Sequence, residues 1–518
     1  MTNLPNLISI KAIDTTGYCL LFLLSSFERS YANTVKLSFW LKHKCLLVIA
    51  YYPLSRYIIM ISWYIPNLDE DTIKEMLRTI GVQSIDDLFV DVSEDIKVKK
   101  PLNLPEPLSE SQVKKIVREK LAKNKVHGEY RVFLGGGIYI HDIPSVISHI
   151  ISRGEFLTAY TPYQPEVSQG ILRSLFEYQS LVCELTGMDV ANCSMYDYGT
   201  AAAEAILMSC RVTRRNSAII ASNISPWRKS VIMTYTAPKV SIKELSFNPR
   251  TGCIDKHELE SLLSNGEYSC LYLESPSFIG SIETNLNEIS EIVHKYGSLL
   301  VLGTDLISLG LLKPPGDFDV DIVVSEGQYL GNPPNFGGPC LGVLATKRDM
   351  RLIRQMPGRI VGMTTTKDGK SVAFVNILQT REQHIKRENA TSNICTNEAL
   401  TAVTAAIYLS LLGKQGLKKL AENLAYKSHY LAGNLRKLGL ESPPYTSPFF
   451  RDLLIKLPDH LSADTAIKTG LDKKLIIGIN VSEYFPAYGN SILSSVYDIH
   501  TKEDLDSLIS HFRELLRR

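Results

Sequence analysis

The stretch DIVVSEGQYLGNPPNFGGPCLGVLATK, residues 321–347, decides the fold. Its β-branched run, residues 321–325, predicts a buried strand, and residues 342–346 predict a second short strand. A loop rich in glycine, proline and asparagine, residues 327–338, lies between the two. The stretch contains no lysine before Lys347. It therefore predicts a strand, a long loop without lysine, and a second strand.

The chain around this stretch alternates short apolar runs with helical stretches from residue 190 onward. This alternation predicts an α/β fold with a mainly parallel sheet that helices cover on both faces. The predicted strands are residues 190–195, 217–222, 240–247, 270–274, 299–304, 321–325 and 342–346. The helices predicted between them are residues 200–212, 226–234, 256–264 and 285–296. Seven strands of this kind make a large domain of the size that aminotransferase-like pyridoxal-phosphate enzymes use.

The sequence predicts four regions along the chain. Residues 1–59 are an extension, residues 60–130 a helical segment, residues 131–400 the large domain and residues 401–518 a small α+β domain. Because residues 379–412 contain neither glycine nor proline, they predict one long helix or two abutting helices.

The composition is that of an ordinary soluble protein. Of its 518 residues, 45% are hydrophobic and 21% are charged, and the net charge of +2 gives no sign of a nucleic-acid partner. The nine cysteines are scattered without metal-binding spacing, which indicates a reduced cytoplasm. His141 and Asp142 lack a third ligand at helical spacing, so we expect no metal site.

The N-terminal extension carries two apolar runs, residues 18–25 and 45–53. Both are too short to span a bilayer, which needs about 20 apolar residues. A membrane anchor and an ordered extra element are alternatives. The favoured interpretation is a poorly ordered extension, or a start assigned too early with Met60 as the working start, and we expect no membrane association.

Three features could belong to a cofactor site. In a pyridoxal-phosphate enzyme, a loop like residues 327–338 carries the lysine that forms the Schiff base. An aspartate at a strand end, as Asp305 is here, can pair with the pyridine nitrogen. Gly199 and Thr200 begin a helix whose free N–H groups could hold a phosphate. The alternatives are a turn carboxylate for Asp305 and simple helix capping for Thr200.

An aromatic, polar loop precedes the large sheet. Tyr160, Thr161, Tyr163 and Gln164 alternate with prolines, which favour extended backbone in the residue before them. Such a loop can line a pocket, although a simple exposed loop is an equal alternative.

Several long stretches together resemble one family. EFLTAYTPYQPEVSQGILRSLFEYQSLVCELTGMDVANCSMYD at residues 155–197, PGRIVG at 357–362 and REQHIKRENATSNICTNEAL at 381–400 carry the resemblance. They are similar to glycine dehydrogenase (decarboxylating), the P-protein of the glycine cleavage system, and in particular to subunit 1 of its two-chain form. The resemblance extends from Met60 to the C-terminus.

This resemblance implies a large domain of the aminotransferase-like fold, the pyridoxal-phosphate-dependent transferase fold type I. Counted back from Gly337-Gly338-Pro339, the lysine position of the catalytic subunit falls on Gln328. An amide cannot form an imine with an aldehyde, so the resemblance implies that subunit 2 holds pyridoxal phosphate. The implied partners are subunit 2, the lipoylated H-protein and glycine.

The resemblance also implies a role for the aromatic loop. Tyr160, Thr161, Tyr163 and Gln164 become candidates for the active-site wall of the complex. Gly199, Thr200 and Asp305 become vestiges of a cofactor site, and no residue of this chain is expected to be catalytic.

Two alternative functions stay open at this point. The chain could be a structural partner with no active-site residue. It could also be a self-sufficient pyridoxal-phosphate enzyme with a displaced lysine, for which Lys313 and Lys347 are the nearest candidates.

Overall fold

The computed structural model describes residues 66–98, 100, 102–394 and 397–517. The chain divides into two units, residues 1–115 and 116–518, and each is described by itself. The predicted extension, residues 1–59, lies outside the described residues.

The first unit contains a short amphipathic helix, α1 (Glu70–Ile80). The Asp69 side chain accepts a hydrogen bond from the backbone N–H of Thr72 and so caps the first turn. Gly81, at φ +90°, ends the helix in the left-handed conformation that glycine adopts readily. A second helix, α2 (Glu110–Leu121), follows along the chain.

The strands of the second unit, in chain order, are β1 (Arg131–Val132), β2 (Val190–Ala191), β3 (Ser217–Ala221), β4 (Ser241–Leu245), β5 (Tyr268–Glu274), β6 (Leu299–Thr304), β7 (Ile322–Glu326), β8 (Gly342–Thr346), β9 (Ile360–Thr365), β10 (Val372–Ile377), β11 (Asp452–Lys456), β12 (Leu475–Ile476), β13 (Ile479–Asn480) and β14 (Ser491–Ser495). Its helices are α3 (Ser145–Ile151), α4 (Gly154–Leu157), α5 (Gln169–Thr186), α6 (Tyr198–Thr213), α7 (Pro226–Thr236), α8 (Lys256–Leu263), α9 (Leu286–Lys295), α10 (Met350–Ile353), α11 (Gln383–Lys386), α12 (Ala399–Lys437), α13 (Ala463–Asp472) and α14 (Lys502–Leu515).

Seven strands form the central sheet in the order β2-β8-β7-β6-β5-β3-β4. The five strands β4-β3-β5-β6-β7, neighbours in this order, pair in parallel. Strand β8 pairs antiparallel with both β7 and β2. All five residues of β7 are buried because the sheet is covered on both faces. The predicted seven-stranded, mostly parallel sheet is therefore confirmed, and each predicted strand is present in it.

The C-terminal strands form a smaller antiparallel sheet, β11-β14-β13. The short strand β12 pairs in parallel with β1, so residues that precede the large sheet lie against the C-terminal part of the chain. The backbone N–H of Phe133 extends this pairing by donating to the carbonyl of Ile476 over 2.7 Å. The domain boundaries given above stay predictions.

The helix predicted for residues 379–412 is wrong in its first half. The structure has the short helix α11 between two 3-10 turns, and α12 begins only at Ala399. Leu378 and Arg387 adopt left-handed backbone at φ +53° and +55°, which interrupts any regular helix. The buried Glu382 pairs with Arg359 here, so tertiary contacts override the local helix propensity.

The loop that follows β5 in the large sheet lies close to the backbone of β11 in the smaller sheet at Gly280. A Cβ at this position, where φ is +94°, would lie 2.2 Å from the backbone oxygen of Asp452 in β11. Gly369 has a similar φ of +70° but no atom within 4 Å of the same point. A glycine is therefore required at position 280 for two reasons: its φ is positive, and a Cβ would clash with β11.

We expect Gly280→Ala to destabilise the protein by at least about 2 kcal/mol more than Gly369→Ala. Both substitutions place alanine at a positive φ, so the difference reports mainly the clash with the backbone of β11. Denaturant unfolding of the two variants beside the unmodified chain measures it. Equal losses would show that the strand can move away at little cost.

Candidate functional site

The three predicted cofactor positions lie at the carboxyl ends of the parallel strands. Asp305 follows β6 directly, Gln328 follows β7, and Gly199 and Thr200 belong to the first turn of α6. The carboxyl edge is where open α/β sheets bind ligands. A cleft at this edge has Asp305 in its lining, together with Tyr139, Tyr198, Arg228, Glu326, Tyr329, Arg451 and Asp452, whereas Gln328, Gly199 and Thr200 do not line it.

Asp305 is engaged in an ion pair with Arg451. Its Oδ2 lies 2.5 Å from Nη2 of Arg451, and its Oδ1 accepts a hydrogen bond from the backbone N–H of Ile307 over 2.9 Å. The guanidinium lies over two aromatic rings, 3.4 Å from the centroid of Tyr139 and 4.4 Å from that of Tyr329. Asp305 therefore already has a cationic partner inside the cleft.

The side chain of Gln328 is fully buried and binds backbone. Its Oε1 accepts from the N–H of Tyr139 over 3.0 Å, and its Nε2 donates to the carbonyl of Tyr139 over 3.2 Å and to that of Asn332 over 2.6 Å. Both ends of the amide are thus used to fix the segment that crosses the carboxyl edge of the sheet. The Tyr139 hydroxyl donates in turn to Oδ2 of Asp452 over 2.6 Å.

The N–H groups at the start of α6 bind carboxylates. The Asp197 side chain accepts from the N–H of Thr200 over 2.7 Å, and Thr200 Oγ1 accepts from the N–H of Asp197, which makes a reciprocal capping box. Glu326 Oε2 accepts from the N–H of Tyr198 over 3.2 Å. The small size of Gly199 serves packing, since a Cβ there would lie 3.2 Å from Val231.

Glu326 joins three segments at the floor of the cleft. Besides the N–H of Tyr198, it accepts from the N–H groups of Gln328 over 2.9 Å and Leu341 over 2.8 Å. Burial raises the pKa of Glu326 to about 7, although the three backbone donors act in the opposite direction.

These residues do not fit pyridoxal phosphate. Gln328 offers no amine, and Asp305 is already paired with Arg451. The carboxyl groups of Asp197 and Glu326 occupy the N–H groups that a phosphate would need. A cofactor with a phosphate charge would have to displace all of these contacts.

The predicted aromatic loop does not line this cleft. Tyr160 is 73% exposed and Tyr163 is 40% exposed, while Pro162 between them is buried. The Tyr163 ring covers the Arg359 guanidinium at 4.6 Å and meets the His384 ring edge-on at 5.6 Å. Thr161 is half-buried and Gln164 is exposed. The loop forms a separate surface feature.

Among the cleft residues named above, sequence reasoning singled out only Asp305, and it missed Arg451, Tyr139 and Glu326 in particular. Glu326 stood beside the predicted loop, and its place at the end of a buried strand was an available signal. Arg451 and Tyr139 lie far from Asp305 along the chain, and no local pattern connects them. The structure alone brings them together.

Neither alternative lysine lines the cleft. Lys347 Nζ lies 2.5 Å from Oδ1 of Asp321. Asp321 directly precedes β7, so this pair lies at the amino end of the strand, away from the cleft at the carboxyl ends. Lys313 is exposed and lies beside a different cavity. Within the part of the chain that the structure describes, no cluster of three or more metal-binding side chains occurs, and no helix is long and apolar enough to cross a membrane.

Comparison with known proteins identifies the family. The family model for the glycine cleavage system P-protein matches residues 62–512. The chain belongs to this family. It is 48% identical over 463 residues to the probable glycine dehydrogenase (decarboxylating) subunit 1 of Staphylothermus marinus, covering 88% of this chain and 98% of that protein. The predicted family is therefore confirmed.

Solved structures agree with this family and with the predicted fold. A crystal structure of glycine decarboxylase (P-protein), in inhibitor-bound form, matches with a TM-score of 0.77 and 37% identity, covering 86% of this chain and 98% of that one. An alanine–glyoxylate aminotransferase from Nostoc sp. matches with a TM-score of 0.52 and 15% identity, covering 75% and 95%. The second likeness shows the aminotransferase-like fold alone, as predicted.

The raised pKa of Glu326 predicts a dependence of stability on pH. Because its pKa is higher in the folded state than its ordinary value, it stabilises most below about pH 4.5 and loses this effect as pH rises through about 7. The loss is on the order of 3 kcal/mol. We expect Glu326→Gln to remove this slope from the unfolding free energy between pH 5 and pH 8.

The exposed Glu388 provides the control, since Glu388→Gln should leave the slope unchanged. Denaturant unfolding at several pH values measures both variants. A slope that persists in Glu326→Gln would assign the dependence to another group.

Proposed function

We propose that this chain acts as subunit 1 of a two-chain P-protein in the cytoplasm, as a heterodimer or a dimer of heterodimers. Its partner, subunit 2, binds pyridoxal phosphate. Together they decarboxylate glycine, release carbon dioxide and transfer the remaining aminomethyl group to the lipoyl arm of the H-protein. The S. marinus relative, named as subunit 1, supports the existence of a partner.

The environment of Gln328 carries this proposal. A buried amide that binds the backbone on both sides cannot act as the nucleophile toward an aldehyde. Asp305 pairs with Arg451, and Thr200 belongs to the capping box of α6. We infer that the cofactor chemistry belongs to the partner and that this chain contributes structure and part of the wall.

The aromatic loop is the proposed contribution to that wall. Its base is fixed to the β9–β10 hairpin, because the Asn376 amide donates to the carbonyl of Pro162 over 2.7 Å. Gln169, at the other end of the loop, both donates to and accepts from the backbone of Phe374 over 2.9 Å. Exposed side chains on a fixed base are suited to contact another chain without a large loss of conformational entropy.

The chemistry of the loop suits glycine. Glycine has no side chain to recognise, so its site needs hydrogen-bond donors for the carboxylate and a wall that excludes water. Tyr160 and Tyr163 offer phenols, Thr161 a hydroxyl and Gln164 an amide. We propose that these groups reach the partner's site in the assembled enzyme.

Gln328→Lys should not produce cofactor binding in the isolated chain. Because Asp305 and the α6 N–H groups stay engaged, the new amine faces no positioned aldehyde. The measurement is borohydride trapping followed by mass spectrometry of the intact chain. Stoichiometric trapping of pyridoxal phosphate by the variant, or by the unmodified chain, would contradict the proposal.

Tyr163→Phe and Gln164→Ala should each lower glycine–bicarbonate exchange in the complex co-expressed with subunit 2 by roughly 2- to 10-fold. This is the range expected when one hydrogen bond worth about 0.5–1.5 kcal/mol is lost. Size-exclusion chromatography verifies that assembly is intact. The control is Tyr426→Phe, which makes the same change at an exposed tyrosine outside the loop.

Unchanged exchange in both loop variants, with assembly intact, would make the loop structural. The favoured function would then be that of a partner without active-site residues.

A further inference from the structure

The cleft is built around a cation that the chain itself supplies. The Arg451 side chain is 4% exposed, and its guanidinium contacts the rings of Tyr139 and Tyr329. Asp305 pairs with it directly, and the carboxyl group of Asp452 lies in the same lining. Two ring faces and a carboxylate are the groups that proteins use to bind organic cations.

The guanidinium is held by an ion pair and by ring contacts. Its Nη2 atom pairs with Asp305, whereas its buried Nε atom has no hydrogen-bond acceptor among the described residues. Burial is the largest single influence and acts to lower the pKa of Arg451, but Asp305, Tyr139, Tyr329 and Asp452 together outweigh it and raise the pKa above its ordinary value. The surroundings therefore stabilise the positive charge itself.

The same lining disfavours anions. Glu326 and Asp197 face the start of α6, where a phosphate would otherwise find free N–H groups. The second guanidinium of the cleft, Arg228, is neutralised by Glu274, with both its Nε and Nη2 at 2.6 Å from the carboxylate oxygens. No unneutralised positive charge is left in the cleft to attract an anionic ligand.

We propose that this pocket is selective for a guanidinium-like cation, with Arg451 as its permanent, built-in ligand. Arg451 stands directly before β11 in the C-terminal sheet, while Asp305 follows β6 and Tyr329 follows β7 in the large sheet. The built-in ligand therefore also fastens the C-terminal sheet to the carboxyl edge of the large one. This inference goes beyond the proposed function and does not depend on a partner subunit.

Chemical rescue tests the selectivity of the pocket. Arg451→Ala in the full-length chain removes the ligand and leaves Asp305, Tyr139 and Tyr329 around an empty space. We expect the melting temperature to fall by roughly 5 °C or more, because a buried carboxylate loses its partner. Millimolar methylguanidinium should restore about 2 °C or more of this loss.

The controls separate a specific site from a salt effect. Sodium chloride at equal ionic strength should give no recovery, and methylguanidinium should not stabilise the unmodified chain. Leu454→Ala, a cavity in the apolar core of β11, should not respond to it either. Phosphate, acetate and pyridoxal phosphate should give Arg451→Ala no stabilisation.

Two results would overturn the proposal. One is the absence of a methylguanidinium effect on folded Arg451→Ala, and the other is stabilisation by an anion in place of the cation.

A pair of variants covers the case in which Arg451→Ala does not fold. Lysine and methionine are both unbranched and of similar length, but only lysine carries a positive charge. The proposal requires Arg451→Lys to melt several degrees above Arg451→Met. A methionine variant as stable as the lysine variant would mean that the position needs bulk and not charge.

Discussion

The ion pair between Arg451 and Asp305 is the constraint on which the carboxyl edge of the sheet depends. A buried carboxylate without a partner costs several kcal/mol, so the strand end after β6 must receive a cation from elsewhere in the chain. Arg451 supplies it only if β11 lies close by, which in turn requires a glycine at position 280. The Arg451 charge therefore holds the smaller C-terminal sheet close to the carboxyl edge of the large sheet.

The fold was predictable because the central strands are buried on both faces. A strand such as β7 reads as a continuous β-branched run, and a turn or helix follows each run of this kind. The β9–β10 hairpin gave no comparable signal, since its residues are partly exposed and follow no regular alternation. The pairing of β1 with β12 spans two residues, and only tertiary contacts define it.

The common edge of Asp305, Gln328 and the start of α6 was predictable from the sequence, because the ends of parallel strands lie at one edge. The partner of Asp305 was not predictable, because the position of Arg451 follows from the packing of another sheet. The break before α12 has the same origin: buried charges at Arg359 and Glu382 required contacts that a continuous helix could not make.

Position 328 shows why a buried position at the carboxyl edge of the sheet carries a polar side chain. The backbone N–H and carbonyl of Tyr139 are buried beside it, and buried backbone groups must be paired. A leucine would leave both without partners, whereas an amide offers one acceptor and two donors. Tyr139 must also stay in place, because its ring covers the Arg451 guanidinium and its hydroxyl binds Asp452. The glutamine is therefore selected by the same requirement that keeps Arg451 in the pocket, namely that each buried polar group has a partner.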